Sequence, residues 1–249
     1  MDQEAKERGE AAVSRLQATF AELRERLDAG MVGQSRTVLN ILVTLLADGH
    51  VLLEGAPGLA KTRMARLLAE SFEGVFHRIQ FTPDLMPSDI TGINYYNQKN
   101  GEFEFRPGPI ISQVVLADEI NRATPRTQSA LLECMGERQV TIDNVTMPLP
   151  APFLVIATQN PIELEGTFPL PEAQLDRFLM RITIGYPAPE AERRILTESA
   201  VIEPVMDRLQ TVLSTAQVLA LQERVEEVDV DEAILDYLMA IVEKTRTSP

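Results

Sequence analysis

A glycine-rich turn between an apolar run and a helical pattern constrains this chain more than any other segment. The apolar run is Val51–Glu54, the turn reads Gly55-Ala56-Pro57-Gly58-Leu59-Ala60-Lys61-Thr62, and the helical pattern extends to Ser71. A turn in this context directs backbone N–H groups and the positive end of a helix at a phosphate. Lys61 would then reach the terminal phosphates and the Thr62 hydroxyl a magnesium ion. We therefore expect a phosphate-binding loop for ATP and Mg²⁺.

One residue of the loop departs from the general pattern. The residue before the lysine is usually glycine, whereas this chain has Ala60. The loop conformation must therefore suit a residue with a side chain. The alternative is an ordinary tight turn that caps a helix, but such a turn does not require Lys-Thr directly after it.

Short apolar runs alternate with helical patterns along most of the chain. Besides Val51–Glu54, we predict buried strands at Phe76–Phe81, Gln113–Ala117, Phe153–Ala157 and Leu179–Ile184. Alternating strands and helices indicate an α/β fold whose parallel sheet is covered by helices on both faces. Residues 1–30 are predicted to form an N-terminal amphipathic helix, residues 31–187 the nucleotide-binding core, and residues 188–249 a partial all-helical lid.

Further helices and two hairpins complete the predicted arrangement. Apolar residues alternate with polar ones in Ile93–Phe105 and Gln139–Leu149, each around a turn signal, which predicts two inserted β-hairpins. The remaining helices are expected at Glu4–Leu27, Ser35–Ala47, Glu190–Ala200, Thr215–Glu226 and Asp231–Thr245. The charged flanks of Glu4–Leu27 suit a solvated surface, although its apolar stripe could pack on a neighbouring subunit, and Asp229 is expected to cap the last helix rather than Asp231.

Two adjacent carboxylates follow the apolar run Val114–Ala117. In a parallel sheet, ligands gather at the carboxyl ends of strands, so Asp118 and Glu119 are expected beside the phosphate loop. Asp118 would serve the magnesium ion and Glu119 would orient and deprotonate an attacking water. The alternative for this Asp-Glu pair is a helix cap.

Two further polar residues are candidates for the same site. Asn160 ends an apolar run and can polarise a water or contact a terminal phosphate, although an Asx-type turn before Pro161 is the favoured explanation when the residue is taken alone. Arg177 lies near the start of a strand, where a subunit edge could present it to a neighbour's nucleotide. The alternative for Arg177 is a surface arginine paired with Asp176 or another carboxylate.

Composition narrows the classes of partner. A formal net charge of −14 over 249 residues argues against broad binding to nucleic-acid backbones.

The single cysteine, Cys134, favours a reducing compartment and is expected to be a small buried hydrophobe. No apolar run approaches the roughly 18 residues of a membrane span. His50 and His77 lack a second ligand at metal spacing and are expected to be structural or solvated. We expect a cytoplasmic protein.

Taken in order, these motifs resemble the MoxR family of AAA+ ATPases over residues 32–187. The matching segments begin with Met31-Val32-Gly33-Gln34 and the phosphate loop. They continue with Gln80-Phe81-Thr82-Pro83-Asp84-Leu85-Met86-Pro87-Ser88-Asp89, Leu116-Ala117-Asp118-Glu119-Ile120-Asn121-Arg122-Ala123, Ala157-Thr158-Gln159-Asn160-Pro161 and Leu170-Pro171-Glu172-Ala173-Gln174-Leu175-Asp176-Arg177-Phe178. In that family alanine is usual before the loop lysine, which accounts for Ala60.

The resemblance implies a role for each candidate residue. Lys61 and Thr62 belong to the Walker A motif, Asp118 and Glu119 to Walker B, Asn160 is sensor one and Arg177 is the arginine finger. Val32 and Gly33 would lie near the adenine. The hairpins match the helix-two insert and the hairpin before sensor one. The sensor-two arginine of the family has no match before Pro249, which implies an incomplete lid and leaves ATP turnover by this chain to be tested.

The sequence is consistent with three functions. The first is a ring-forming ATPase, expected to be hexameric, that remodels or matures client proteins, for example by metal-cofactor insertion, beside partners with a von Willebrand factor A domain. The second is a nucleotide-gated assembly adaptor with negligible turnover. The third is a nucleic-acid remodeller, which the acidic balance disfavours.

Overall fold

Five parallel strands form the central sheet of the computed structural model, which describes residues 17–56, 58–161, 166–206 and 212–247. The strand order is β2-β5-β8-β1-β9, so β1 lies between β8 and β9 and β5 between β2 and β8. The sheet strands are β1 (Val51–Glu54), β2 (Phe76–Gln80), β5 (Val114–Asp118), β8 (Leu154–Gln159) and β9 (Met180–Thr183). Each of the five predicted strands is therefore present within one or two residues at its ends, but the expected burial is wrong for the edge strands β2 and β9, in which only Ile79 and Ile182 are buried.

Helices cover both faces of the sheet, as predicted. They are α1 (residues 17–30), α2 (Ser35–Leu46), α3 (Lys61–Ser71), α4 (Pro87–Thr91), α5 (Pro125–Glu137), α6 (Glu172–Leu175), α7 (Pro189–Met206), α8 (Thr215–Glu226) and α9 (Glu232–Thr247), with a 3₁₀ turn at Ile120–Arg122. Successive residues of β1 show the two faces directly. Val51 and Leu53 join the core cluster that includes residues of α2 and α3, whereas Leu52 joins the cluster that includes residues of α5.

Two antiparallel hairpins stand apart from the sheet and confirm both hairpin predictions. The first comprises β3 (Gly92–Asn97) and β4 (Glu102–Pro107), and the second comprises β6 (Gln139–Ile142) and β7 (Val145–Pro148). They touch each other, because the Asn94 amide donates a hydrogen bond of 2.8 Å to the Asp143 carboxylate. The rings of Tyr96 and Phe103 contact each other on the first hairpin, with centroids 5.4 Å apart and planes tilted by 59°, and both side chains are exposed.

The first helix packs on this chain's own core. Residues 1–16 of the predicted Glu4–Leu27 helix lie outside the described residues, but residues 17–30 are helical. Leu23 and Leu27 are each only 3% exposed and belong to the cluster beneath α2 and α3. Of the described part of the stripe, these two leucines therefore pack within this chain and not on a neighbouring subunit, which corrects the expectation for that stripe.

The C-terminal helices differ in how they meet the rest of the chain. α8 docks on α2 through Val218 and Leu221, and the Gln222 amide donates a hydrogen bond of 2.7 Å to the Leu45 carbonyl. α9 has no buried residue. The expected cap of α9 was wrong: Asp231 precedes the helix and its carboxylate accepts a hydrogen bond of 2.9 Å from the Ala233 N–H, since a cap must directly precede the first turn.

Among the described residues, no helix is both long and apolar enough to cross a membrane.

Cys134 is buried, and burial raises the pKa of its thiol to about 12. The prediction of a small buried hydrophobe at this position is confirmed.

His50 is a structural histidine at the start of β1. Its Nδ1 accepts a hydrogen bond of 3.1 Å from the Val155 N–H, and its Nε2 lies 3.2 Å from the Met135 carbonyl oxygen. Both contacts fit a neutral ring that donates from Nε2. Burial, together with the charge of Arg138, lowers the pKa of His50 to about 4. His77, in contrast, is exposed on β2.

We expect His50 to make the free energy of unfolding depend on pH. Because the pKa is lower in the folded chain, the unfolded chain binds the proton more tightly, and stability present above pH 6.5 is lost as the pH falls towards about 4. A shift of this size corresponds to about 3 kcal/mol. Urea unfolding at pH 7, 6, 5 and 4 should show this loss. His50→Gln should flatten the profile, and the exposed His77→Gln should retain it; an unchanged slope in His50→Gln would contradict the assignment.

Candidate nucleotide-binding site

The loop after β1 has the backbone shape of an anion-binding turn. Gly58 has a φ of +84°, a left-handed conformation that glycine adopts without steric cost, and space is open where a Cβ would lie. Ala60 also has a positive φ of 55° and directly precedes α3. The residue before Lys61 therefore carries a side chain in a left-handed conformation, which the sequence did not indicate. Pro57 lies outside the described residues.

Lys61 is the first residue of α3 and points back into the loop. Its Nζ donates a hydrogen bond of 3.0 Å to the Gly55 carbonyl oxygen, and only 9% of the residue is exposed. Burial lowers the pKa of the ammonium below its ordinary value, and the negative charges of Asp118 and Glu119 oppose that shift. The loop lysine and the two predicted acids therefore lie close enough to interact electrostatically. Thr62 follows on the first turn of α3.

The acids sit at the carboxyl end of β5, where Thr158 of β8 holds both of them. The Thr158 hydroxyl donates a hydrogen bond of 2.6 Å to Asp118 Oδ1 and accepts one of 2.9 Å from the Glu119 N–H. Glu119 has a φ of +58°, which is unusual for a residue with a side chain. Such strain is typical of functional sites, and here it turns the chain sharply out of the sheet.

Three more polar residues contact the acids and were missed from the sequence. Arg78 donates to Asp118 Oδ2 from Nη2 at 2.7 Å and from Nε at 3.1 Å. Gln80 donates to Glu119 Oε2 at 2.9 Å, and Arg122 Nε lies 3.3 Å from the same oxygen. Gln80 and Arg122 stand in segments that resemble the family, although no role was assigned to them there, and Arg78 alternates with Gln80 on β2, next to β5.

The arrangement suits a nucleotide-bound magnesium ion. Among the described residues no group of three or more His, Cys, Asp or Glu side chains could hold a metal alone. Magnesium at triphosphate sites needs only one or two carboxylates and takes its other ligands from phosphates and water. Asp118 and the Thr62 hydroxyl fit that demand, since both are hard oxygen donors beside the loop.

A cavity of about 460 Å³ opens beside the loop. Its lining residues are Gly30, Met31, Val32, Gln34, Gly58, Leu59, Ala60, Arg63, Tyr186, Pro187, Glu192, Ile195 and Leu196. The predicted residue Val32 lines it directly. Gly33 lies just behind, with a φ of +80°, and a Cβ there would be 2.9 Å from the Pro187 Cβ. The lining of the cavity is largely apolar and lies next to the phosphate loop, so the cavity fits a purine base. The contribution of residues 186–196 was not foreseen.

The remaining two candidates, Asn160 and Arg177, lie at opposite ends of the sheet strands. Asn160 is buried directly after β8, the strand between β5 and β1, and therefore lies at the edge that carries the loop and the acids. Arg177 is placed elsewhere. A Cβ added to Gly136 would be 1.9 Å from Arg177 Nη1, and the neighbouring Met135 contacts His50, which precedes β1. The structure thus does not bring Arg177 to the loop of its own chain.

A lysine-bearing loop that opens a helix, with an Asp-Glu pair at the end of a nearby parallel strand, defines a P-loop ATPase. Comparison with known proteins agrees. Residues 50–180 match the model of the ATPase family associated with various cellular activities (AAA). A solved structure from Cytophaga hutchinsonii described as a "putative ATPase" is 42% identical, with a TM-score of 0.87 over 96% of this chain and 72% of that one.

Relatives narrow the family further. The chain is 52% identical to the uncharacterised protein YeaC of Bacillus subtilis over 90% of its length and 70% of that protein. It is 51% identical to the chaperone MoxR1 of Mycobacterium tuberculosis over 87% of its length, and 34% identical to the MoxR protein of Methylorubrum extorquens over 76%. It spans 56% of each of the latter two proteins. The chain belongs to the MoxR family of AAA+ ATPases, as its motifs indicated.

We expect Thr158→Val to uncouple the two acids while preserving side-chain volume. The substitution leaves the Glu119 N–H without its acceptor and Asp118 Oδ1 without its donor, so the free energy of unfolding should fall by about 1–3 kcal/mol. Urea denaturation measures this change, and Thr146→Val on the exposed hairpin strand β7 provides the control. Equal stability of Thr158→Val and the wild-type chain would contradict the bridging role.

Proposed function

We propose that this chain binds ATP with magnesium and hydrolyses it, and that it uses the energy to remodel client proteins. The observation that carries the proposal is the cluster at one sheet edge. Lys61 and the phosphate loop there face Asp118 and Glu119, with the 460 Å³ cavity beside them. This edge supplies in one place the groups that phosphoryl transfer requires, which are cations for the phosphates, a metal ligand and a base.

Each residue takes one part of that chemistry. Lys61 and the loop N–H groups bind the phosphates, while Thr62 and Asp118 serve the magnesium ion, which supplies charge stabilisation when bound. Glu119 orients the attacking water and accepts its proton. Asn160 contacts the terminal phosphate or that water with a neutral amide. Val32 and Gly33, together with the lining at Tyr186 and Leu196, hold the adenine.

Arg177 acts on the nucleotide of a neighbouring subunit. Its guanidinium lies against Gly136, at the edge of the sheet where the strands begin, so it serves a site that belongs to another copy. An arginine supplied in this way stabilises the charge of the transition state. Head-to-tail contacts of this kind close into rings, and we propose a hexamer.

The hairpins and the C-terminal helices form the moving parts of the proposed machine. The exposed Tyr96 and Phe103 offer an aromatic surface for a client polypeptide. Residues 31–187 act as the nucleotide-binding core and residues 188–249 as a lid domain. The relative named a chaperone supports action on proteins. We propose maturation of complexes or metal-cofactor insertion as that action, beside partners with a von Willebrand factor A domain. The charge of −14 does not favour nucleic acid.

Substitutions in the loop and at the base should separate binding from turnover. Lys61→Ala should weaken ATP binding by about ten- to a hundredfold, because it removes a charge-assisted contact to phosphate. Glu119→Gln should retain ATP binding and reduce the rate of phosphate release by about a hundredfold or more. Equilibrium binding of a fluorescent ATP analogue and a phosphate-release assay measure these effects.

The exposed Glu223→Gln on α8 serves as the control and should behave as the wild-type chain. If wild-type turnover equalled that of Glu119→Gln, the ATPase proposal would be wrong for this chain and a nucleotide-gated adaptor would take its place.

A subunit-mixing experiment tests the placement of Arg177. Arg177→Ala and Glu119→Gln should each be inactive alone. An equal mixture should regain activity, because a site with an intact Glu119 then meets an intact Arg177 from its neighbour. With random assembly about a quarter of the sites are complete, and phosphate release should recover to about that fraction.

Arg194→Ala, which removes an exposed arginine paired with Glu198 on α7, provides the control and should be active alone. A mixture that stayed inactive although the two variants assembled together would show that Arg177 does not act between subunits.

A further inference from the structure

Arg78 makes a forked contact with the carboxylate proposed to serve magnesium. Both its Nη2 and its Nε donate to Asp118 Oδ2, at 2.7 and 3.1 Å. The two residues belong to neighbouring strands in parallel register, with Arg78 opposite Leu116 and Gln80 opposite Asp118. The arginine thus places a positive charge next to Oδ2 of Asp118, the carboxylate oxygen that does not accept from Thr158.

The two oxygens of Asp118 are held by groups of very different freedom. Oδ1 accepts from the Thr158 hydroxyl, which donates its only proton there and also accepts from the Glu119 N–H. Thr158 is completely buried, whereas the side chain of Arg78 is 46% exposed. An exposed arginine can swing into water at small cost, but Thr158 cannot move without disrupting the strand end. Oδ2 is therefore the oxygen that can change partner.

The same arginine is connected to Glu119 through one residue. Arg78 Nη2 donates to Gln80 Oε1 at 2.6 Å, and Gln80 Nε2 donates to Glu119 Oε2 at 2.9 Å. The Gln80 amide is oriented by its two contacts, so departure of Arg78 removes one of the groups that aim it at Glu119. Asp118 and Glu119 are thereby linked through two side chains of the same strand, β2.

We propose that Arg78 is a positioning residue that occupies Asp118 in the absence of magnesium and yields the carboxylate when the Mg²⁺–nucleotide complex binds. This inference rests on the proposed function, in which Asp118 serves that ion. While Arg78 is in place it neutralises Asp118 beside the phosphates. When it leaves, Asp118 turns to the metal shell and Gln80 loosens its hold on Glu119. The site thus exchanges one cation for another, and the exchange is coupled to release of the base.

Magnesium dependence of nucleotide binding tests the exchange without any measurement of turnover. The probe is fluorophore-labelled ADP, titrated in EDTA and then with increasing MgCl₂. Without magnesium, Arg78→Gln should bind the nucleotide about two- to fivefold more weakly than the wild-type chain, because Asp118 then repels the phosphates unopposed. With magnesium, the midpoint concentration of MgCl₂ should fall about two- to fivefold, because the competing cation is gone.

Three further variants make the test specific. Arg224→Gln, which removes an exposed arginine paired with Glu227 on α8, should change neither quantity. Arg78→Lys keeps the charge with a single contact point and should give intermediate values, which guards against a folding defect in Arg78→Gln. In an Asp118→Asn background, Arg78→Gln should no longer alter the midpoint, since the carboxylate for which the two cations compete is absent.

The outcomes separate this inference from the proposed function. Equal magnesium dependence in Arg78→Gln and the wild-type chain, or a higher midpoint in the variant, would overturn the role of Arg78 alone. A wild-type chain that bound no labelled ADP, with or without MgCl₂, would overturn the proposed function and this inference together.

Discussion

The register between β5 and β8 is the constraint on which the site depends. Ala117 pairs with Ala157, so the next residues along the strands, Asp118 and Thr158, meet at the same sheet edge. Leu53 pairs with Thr158 on the other side, which brings the end of β1 and its phosphate loop to that edge as well. The apolar residues of these strands are buried on both faces, so a slip of one residue would exchange their faces and separate the acid from its hydroxyl partner. The core thus enforces the geometry of the polar groups above it.

Much of the fold could be predicted because the residues that mark the ends of strands and the turns lie next to those elements in the sequence. The strands β1, β5 and β8 are short apolar runs with polar or glycine residues at their ends, and both hairpins carry a turn signal. The phosphate loop and the Asp118-Glu119 pair were predicted for the same reason, since the carboxyl ends of parallel strands meet at one edge. The left-handed conformation of Ala60, in contrast, was not indicated by the motif.

The contacts between strands could not be predicted in the same way. Arg78 reaches Asp118 only because β2 is the neighbour of β5, and strand order is not encoded in local periodicity. The wall of the cavity at Tyr186 depends on how the chain after β9 returns over the loop. The burial of Leu23 and Leu27 likewise depends on tertiary packing, because an amphipathic stripe shows that a face is covered but not by what. Asp231 shows the limit at helix ends, where a shift of one residue decides which side chain is the cap.

The hydrogen bond between Asn94 and Asp143 joins two parts of the chain that are well separated in sequence. The first hairpin lies on the segment that leaves the sheet after Gln80, and the second lies on the segment that leaves it after Asp118. Both segments start at strand ends that carry the polar cluster. The hairpins thus give these two segments a second connection, outside the sheet, in addition to the pairing of β2 with β5.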